Sequence, residues 1–139
     1  MAASLYQTQA TAVGGRQGAV ASSDGALRLK LGKPAALGGP GAGGTNPEQL
    51  FAAGYAACFL ETLKFVAAEA GETLGEDANV TATVGLDGAP GAMTLTAALA
   101  VDLPSLDHDA AAALVRRAHA MCPYSLAVAG NLAVRVSIP

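Results

Sequence analysis

Tryptophan is absent, and the other aromatics are scarce: three Tyr and three Phe in 139 residues. Charge is thin as well, at 14% against a usual share of about 25%. The net charge of −3 and the lack of a basic stripe argue against nucleic acid and anionic membrane as partners. Only two cysteines occur, 64 residues apart, which excludes a disulfide scaffold, a CxxC redox motif and a zinc-ligand spacing. Free thiols at that density suit a cytosolic protein, so a cytoplasmic location is expected. The two histidines, His108 and His119, have no acidic partner at a ligand offset, and no metal is expected. A Gly-rich phosphate loop, a GxSxG elbow and an HExxH helix are all missing, so no cofactor is expected either. The longest uncharged apolar run, Leu50 to Leu60, is shorter than the roughly 20 residues a bilayer needs. The start, Met1-Ala2-Ala3-Ser4-Leu5, has neither a basic n-region nor an apolar h-region, so no secretory leader is expected.

What is present is apolar: 52% of the residues. A chain of this length buries roughly two thirds of its unfolded surface, and one domain over residues 1–139 is expected. So few charges leave apolar surface that the chain cannot hide by itself, which points to burial against another chain, an identical one.

Three extended segments open the chain: Leu5 to Val13, Ala19 to Ser23 and Ala26 to Leu31, joined by Gly14-Gly15-Arg16-Gln17-Gly18 and by Asp24-Gly25. In the third, Arg28 and Lys30 alternate with Leu27, Leu29 and Leu31, so one face is read as wet and the other as core. A Gly/Pro-rich connection over Lys33 to Thr45 leads to a helix start, with Asn46 as cap, Pro47 in the first turn and Gln49 completing a capping box. This helix is predicted to reach Ala70 and stop at Gly71. From Leu50 to Leu60 it is apolar on all sides, as in a helix buried in a core or between subunits. A hairpin over Val80–Leu86 and Met93–Leu103, a second helix over Asp107–Met121 and a strand over Leu132–Ile138 complete the order βββ-α-ββ-α-β. Hairpins in place of βαβ crossovers make the fold class α+β, mainly antiparallel, with two main helices.

Four residues are candidates for chemistry. Cys58 sits inside the apolar helix, where an inert core thiol is the plainer reading. Cys122 precedes Pro123, which ends the second helix; if a further turn starts there, Cys122 lies at its cap, where amide dipoles favour a thiolate. Arg16 stands in a glycine turn, as either a solvated arginine or a held one. Glu48 complements the helix dipole at the second helical position, a use worth about 0.3–1 kcal/mol.

Taken together, Gly14–Gly18, Ser22-Ser23-Asp24-Gly25, the block from Gly43-Gly44-Thr45-Asn46-Pro47-Glu48 to Tyr55-Ala56-Ala57-Cys58-Phe59, Cys122-Pro123-Tyr124-Ser125 and Gly130-Asn131 resemble the organic hydroperoxide resistance branch of the OsmC/Ohr family of thiol peroxidases. The resemblance spans nearly the whole chain, in order. It implies an intertwined α+β homodimer with two sites at the subunit boundary. It implies that Cys58 is the peroxidatic cysteine, Cys122 the resolving one, Arg16 the catalytic arginine and Glu48 its carboxylate partner. It also implies a lipoyl-type dithiol as reductant. One stretch departs from the family pattern: Leu126-Ala127-Val128-Ala129 stands where a polar segment with a Thr-Arg pair usually precedes Gly-Asn.

The chemistry fits those residue types. A thiol with a pKa near 8.5 is mostly protonated at pH 7, and burial raises it further. A guanidinium about 4 Å away, at an effective dielectric near 20, contributes roughly 4 kcal/mol of gross attraction. At about 1.4 kcal/mol per pKa unit that makes thiolate dominant, less the desolvation cost. Apolar walls from Leu50, Phe51, Phe59, Leu60 and Tyr124 would favour peroxides with organic tails. Glu48 and Cys58 are ten residues apart, about 15 Å along a helix axis, so a composite site is expected in which Arg16 and Glu48 of one chain serve Cys58 and Cys122 of another. Two rival readings remain: a non-catalytic dimer binding fatty acyl ligands through Arg16, and an OsmC-type peroxidase of different substrate range.

Overall fold

A computed structural model describes residues 3–41 and 43–139. Met1 and Ala2 of the leader reading, and Ala42 of the Lys33–Thr45 connection, lie outside the described residues. The chain forms two compact units, residues 1–50 and 51–139.

The first unit carries an antiparallel sheet in the order β1 (Ala10–Val13), β2 (Ala19–Ser22), β3 (Arg28–Lys30). All three strands are shorter than the sequence pattern suggested; Leu5 to Gln9 is not strand. Every residue of β1 and β3 is exposed, Leu29 at 38%, so the expected core face holds only at its ends, where Leu27 is half-buried and Leu31 is 5% accessible. Alternation reports a two-faced strand, but only a second layer makes one face a core.

Helix α1 spans Pro47–Glu69 without a break. Asn46 Oδ1 accepts the Gln49 amide at 2.8 Å, which is half of the capping box. The other half is not made: the Gln49 side chain accepts from the Thr45 hydroxyl at 2.8 Å instead. Its C-terminus closes in a Schellman pair, with Glu72 N donating to Ala67 O at 2.8 Å and Gly71 N to Ala68 O at 3.2 Å.

In the second unit, β4 (Asn79–Ala89) and β5 (Ala92–Asp102) form a long hairpin turning at Pro90-Gly91, and β6 (Val134–Ser137) pairs parallel with β5. The sheet is thus mainly antiparallel, but the connection from β5 to β6 is a βαβ crossover, contrary to the hairpin-only reading. The crossover carries α2 (His108–Met121) and a short α3 (Pro123–Val128). Strand alternation at 132–138 specifies which face is inside and says nothing about direction.

The core of this unit joins Tyr55, Phe59, Leu63 and Val66 of α1 to Leu99 and Val101 of β5 and to Leu114 and Ala118 of α2. Each fully buried large side chain contributes about 1.5–3 kcal/mol of transfer free energy. By length and composition alone α1 is able to cross a membrane, a property missed by counting only Leu50–Leu60. Tyr55, Phe59, Leu63 and Val66 pack into this core, while Glu61 and Lys64 lie on the exposed side.

Candidate active site

Arg16 is presented by a single 3₁₀ turn, Gly15–Gln17. Gly14 and Gly15 enter it at φ +81° and +62°, left-handed angles that suit glycine. Gly18 leaves it so close to the chain behind that an added Cβ would stand 1.7 Å from Val13 O. From this turn the guanidinium reaches Glu48 in the first turn of α1. Nη1 donates to Oε1 at 2.6 Å and Nη2 to Oε2 at 3.0 Å, a two-point fork with the side chains 26% and 16% exposed. The hydrogen bonds from Arg16 hold the Glu48 carboxyl below the ordinary glutamate range, against the cost of burial. The same pairing raises the guanidinium further, so the two groups face each other as an ion pair at neutral pH.

The two thiols approach each other in the second unit. Cys58 is half-buried on α1, and Cys122 is wholly buried at the joint between α2 and α3. Both are free, and their sulfurs stand 3.8 Å apart. Pro123 makes the joint: Cys122 leaves α2 in extended geometry, its N–H still donating to Ala118 O at 2.7 Å and its carbonyl accepting the first α3 bond from Leu126 at 2.9 Å. Cys122 is therefore the cap of α3, though its sulfur makes no capping bond. Burial pushes the Cys58 thiol up, and the neighbouring Cys122 adds to that; the Tyr124 amide opposes both. No cation is among these influences.

Around the thiols stand Phe51, Tyr55 and Tyr124, with ring centroids 5.6 to 6.1 Å apart. Tyr124 lies over Gly54, where an added Cβ would meet its hydroxyl at 2.5 Å. Of the five apolar wall candidates, Phe51 and Tyr124 are in this aromatic group. Phe59 is sealed in the core, with no exposed surface in the chain. Leu60, two residues on from Cys58 and so on another face of α1, lines a separate hollow of about 310 Å³ with Lys64, Leu74 and Glu76. Leu50, half-buried, belongs to the first unit.

Three further residues emerge that the sequence reading did not single out for a role. The Tyr55 hydroxyl and Ser125 Oγ are 2.7 Å apart, and His119 Nδ1 lies 2.9 Å from the same Ser125 Oγ. Burial pushes the Tyr55 phenol up, so it is a neutral hydrogen-bonding group. Tyr55 and Ser125 fall inside the runs that carry the resemblance, and all three share a spacing of three: Tyr55 before Cys58, His119 before Cys122 and Ser125 after it. His108 is exposed beside Asp109. Among the described residues, no group of three His, Cys, Asp or Glu is placed to hold a metal ion.

A family model described as OsmC-like protein matches residues 39–137. An organic hydroperoxide resistance protein of Xanthomonas axonopodis pv. citri is 46% identical, covering 96% of this chain and 94% of its own. The chain belongs to the organic hydroperoxide resistance branch of the OsmC-like family. Solved relatives agree with the fold of this OsmC-like chain. The organic hydroperoxide resistance protein OsmC of Legionella pneumophila superposes with a TM-score of 0.91 at 46% identity, over 98% of each chain. The organic hydroperoxide resistance protein OhrB of Bacillus subtilis gives 0.87 at 40%, over 98% of this chain and all of that one.

Proposed function

We propose that the chain is a single-domain thiol peroxidase that reduces organic hydroperoxides to alcohols. The observation that carries this reading is the 3.8 Å approach of two free sulfurs from residues 64 apart in sequence. The Cys58 thiolate attacks one peroxide oxygen; the O–O bond breaks, an alkoxide leaves and takes a proton, and Cys58 becomes a sulfenic acid. The Cys122 sulfur then attacks the Cys58 sulfur, the S–S bond forms, and the hydroxyl departs as water with the thiol's proton. A dithiol of lipoyl type returns two electrons and two protons. Phe51 and Tyr124 would take the organic tail.

The thiolate needs a cation, and the guanidinium of Arg16, steadied by Glu48, is the candidate. It would also hydrogen-bond the leaving oxygen as charge builds there. Because α1 continues through Gly54, the ten residues from Glu48 to Cys58 span about 15 Å of axis. This supports a homodimer in which Arg16 and Glu48 of one chain serve the thiols of the other. A cytoplasmic location, expected from the sparse cysteines, goes with this reading. The rival fatty-acyl reading has Arg16 grip a ligand carboxylate, yet that two-point fork is filled by Glu48.

The test is consumption of an alkyl hydroperoxide with dihydrolipoamide. Cys58→Ser is expected to abolish turnover, and Arg16→Ala to lower it by about a hundredfold or more. Wild-type turnover by Cys58→Ser would overturn the reading.

A further inference from the structure

Ser125 is sealed from solvent, at 4% exposure, against the fully buried Tyr55. It occupies the meeting point of three helices. Its hydroxyl bonds Tyr55 on α1, one turn before Cys58, and His119 on α2, one turn before Cys122, while Ser125 itself is on α3, one turn after Cys122. One proton and two lone pairs on Oγ satisfy both neighbours in either direction along the chain of bonds. The joint at Cys122 is where such a tie matters. Cys122 is extended (φ −60°, ψ +125°), so no continuous helical ladder fixes α3 onto α2. Tyr124 also packs on α1, through a ring that is 36% exposed and meets Phe51 edge-on. The hydroxyl bonds are directional, the one to Tyr55 is buried, and losing the hydroxyl leaves the buried Tyr55 hydroxyl without its partner in the chain.

We propose that Ser125 is a positioning residue whose hydroxyl, bonded to Tyr55 and His119, aims the Cys122 sulfur at Cys58 and sets how readily the disulfide closes. Its use in turnover rests on the peroxidase reading; closure itself does not. The experiment is therefore in two parts. The full-length protein is equilibrated with oxidised and reduced dithiothreitol, where closure of the Cys58–Cys122 bond converts one oxidised dithiothreitol to the reduced dithiol. The disulfide fraction gives the effective concentration of the thiol pair. Ser125→Ala is expected to lower it about fivefold or more, and Tyr55→Phe, which keeps the Ser125–His119 bond, by less. In the second part, one equivalent of alkyl hydroperoxide is added. Ser125→Ala is expected to lose its Cys58 thiol at the wild-type rate but to hold the sulfenic acid longer, and to gain a second oxygen on Cys58 when peroxide is in excess, read by mass. Wild-type effective concentrations in both variants overturn the proposal. If Ser125→Ala does not fold, Tyr55→Phe alone decides it. If wild-type Cys58 does not react with the hydroperoxide while the variants still close less readily, the peroxidase reading falls and the positioning role stands.

Discussion

Cys58 is held in surroundings that suppress its own reactivity. Burial and a neighbouring sulfur raise it, and a single amide from Tyr124 offsets only part. In the proposed reaction the counter-charge comes from the Arg16 guanidinium, which the Glu48 fork holds in place. That fork has a pH limit. The folded Glu48 carboxyl is held below its ordinary range by Arg16, so the pair stabilises the fold above the unfolded value of about 4.3, and the contribution is lost as pH falls through the lower folded value. A partly buried two-point pair is worth about 1 kcal/mol, or roughly 4 °C in Tm for this length. Glu48→Gln is expected to lower Tm by about that much at pH 7 and by progressively less as pH falls below about 4.3, as measured by calorimetry; an equal loss at every pH would show that packing, not charge, matters there. The motif pointed to Arg16, Glu48, Cys58 and Cys122 because each sits in a distinctive run of neighbours. It took in Ser125 as part of the Cys122–Ser125 run but gave it no role, because the Tyr55–Ser125 bond joins residues 70 apart and a spacing of three recurs along any helix.

At the scale of elements, helix signals proved the most readable. Asn46 caps α1 as its residue type suggests, and Pro123 breaks α2 at Cys122. Strand direction was not readable: Leu132 to Ile138 alternates equally well in either orientation, and β6 runs parallel to β5 because α2 and α3 carry the chain back to the starting end. Within α1, Gly54 is where helix propensity and site geometry conflict. Alanine there would favour the helix by about 1 kcal/mol, yet its methyl meets the Tyr124 hydroxyl at 2.5 Å. The ring is half-exposed and free to swing aside. Gly54→Ala is therefore expected to leave Tm within a few degrees, about one kcal/mol either way, while raising KM several-fold for an aromatic hydroperoxide. Unchanged KM would mean that Tyr124 forms no part of the substrate wall.

At the scale of the whole molecule, the chain leaves much apolar surface uncovered. Val13 is 72% exposed and Phe65 52%, and only five of the 23 residues of α1 are sealed within the chain. Scarce charge foretold this surplus, and a second copy is the cover we propose for it. If the sites are shared, two dead variants complement each other. Co-expressed Arg16→Ala and Cys58→Ser chains pair at random, half the dimers are mixed, and each mixed dimer holds one whole site. About a quarter of wild-type peroxide turnover is expected from the mixture, against about a hundredth or less from either variant alone. No recovery in verified mixed dimers would place all four residues of a working site in one chain.

Tolerance to substitution along this molecule will not track nearness to sulfur. At Gly18, where even a methyl group would run into the Val13 carbonyl, every replacement must reshape the turn that presents the arginine. A saturation library selected for survival under peroxide should therefore mark that glycine as intolerant as the thiols themselves, although it offers no side chain to any substrate.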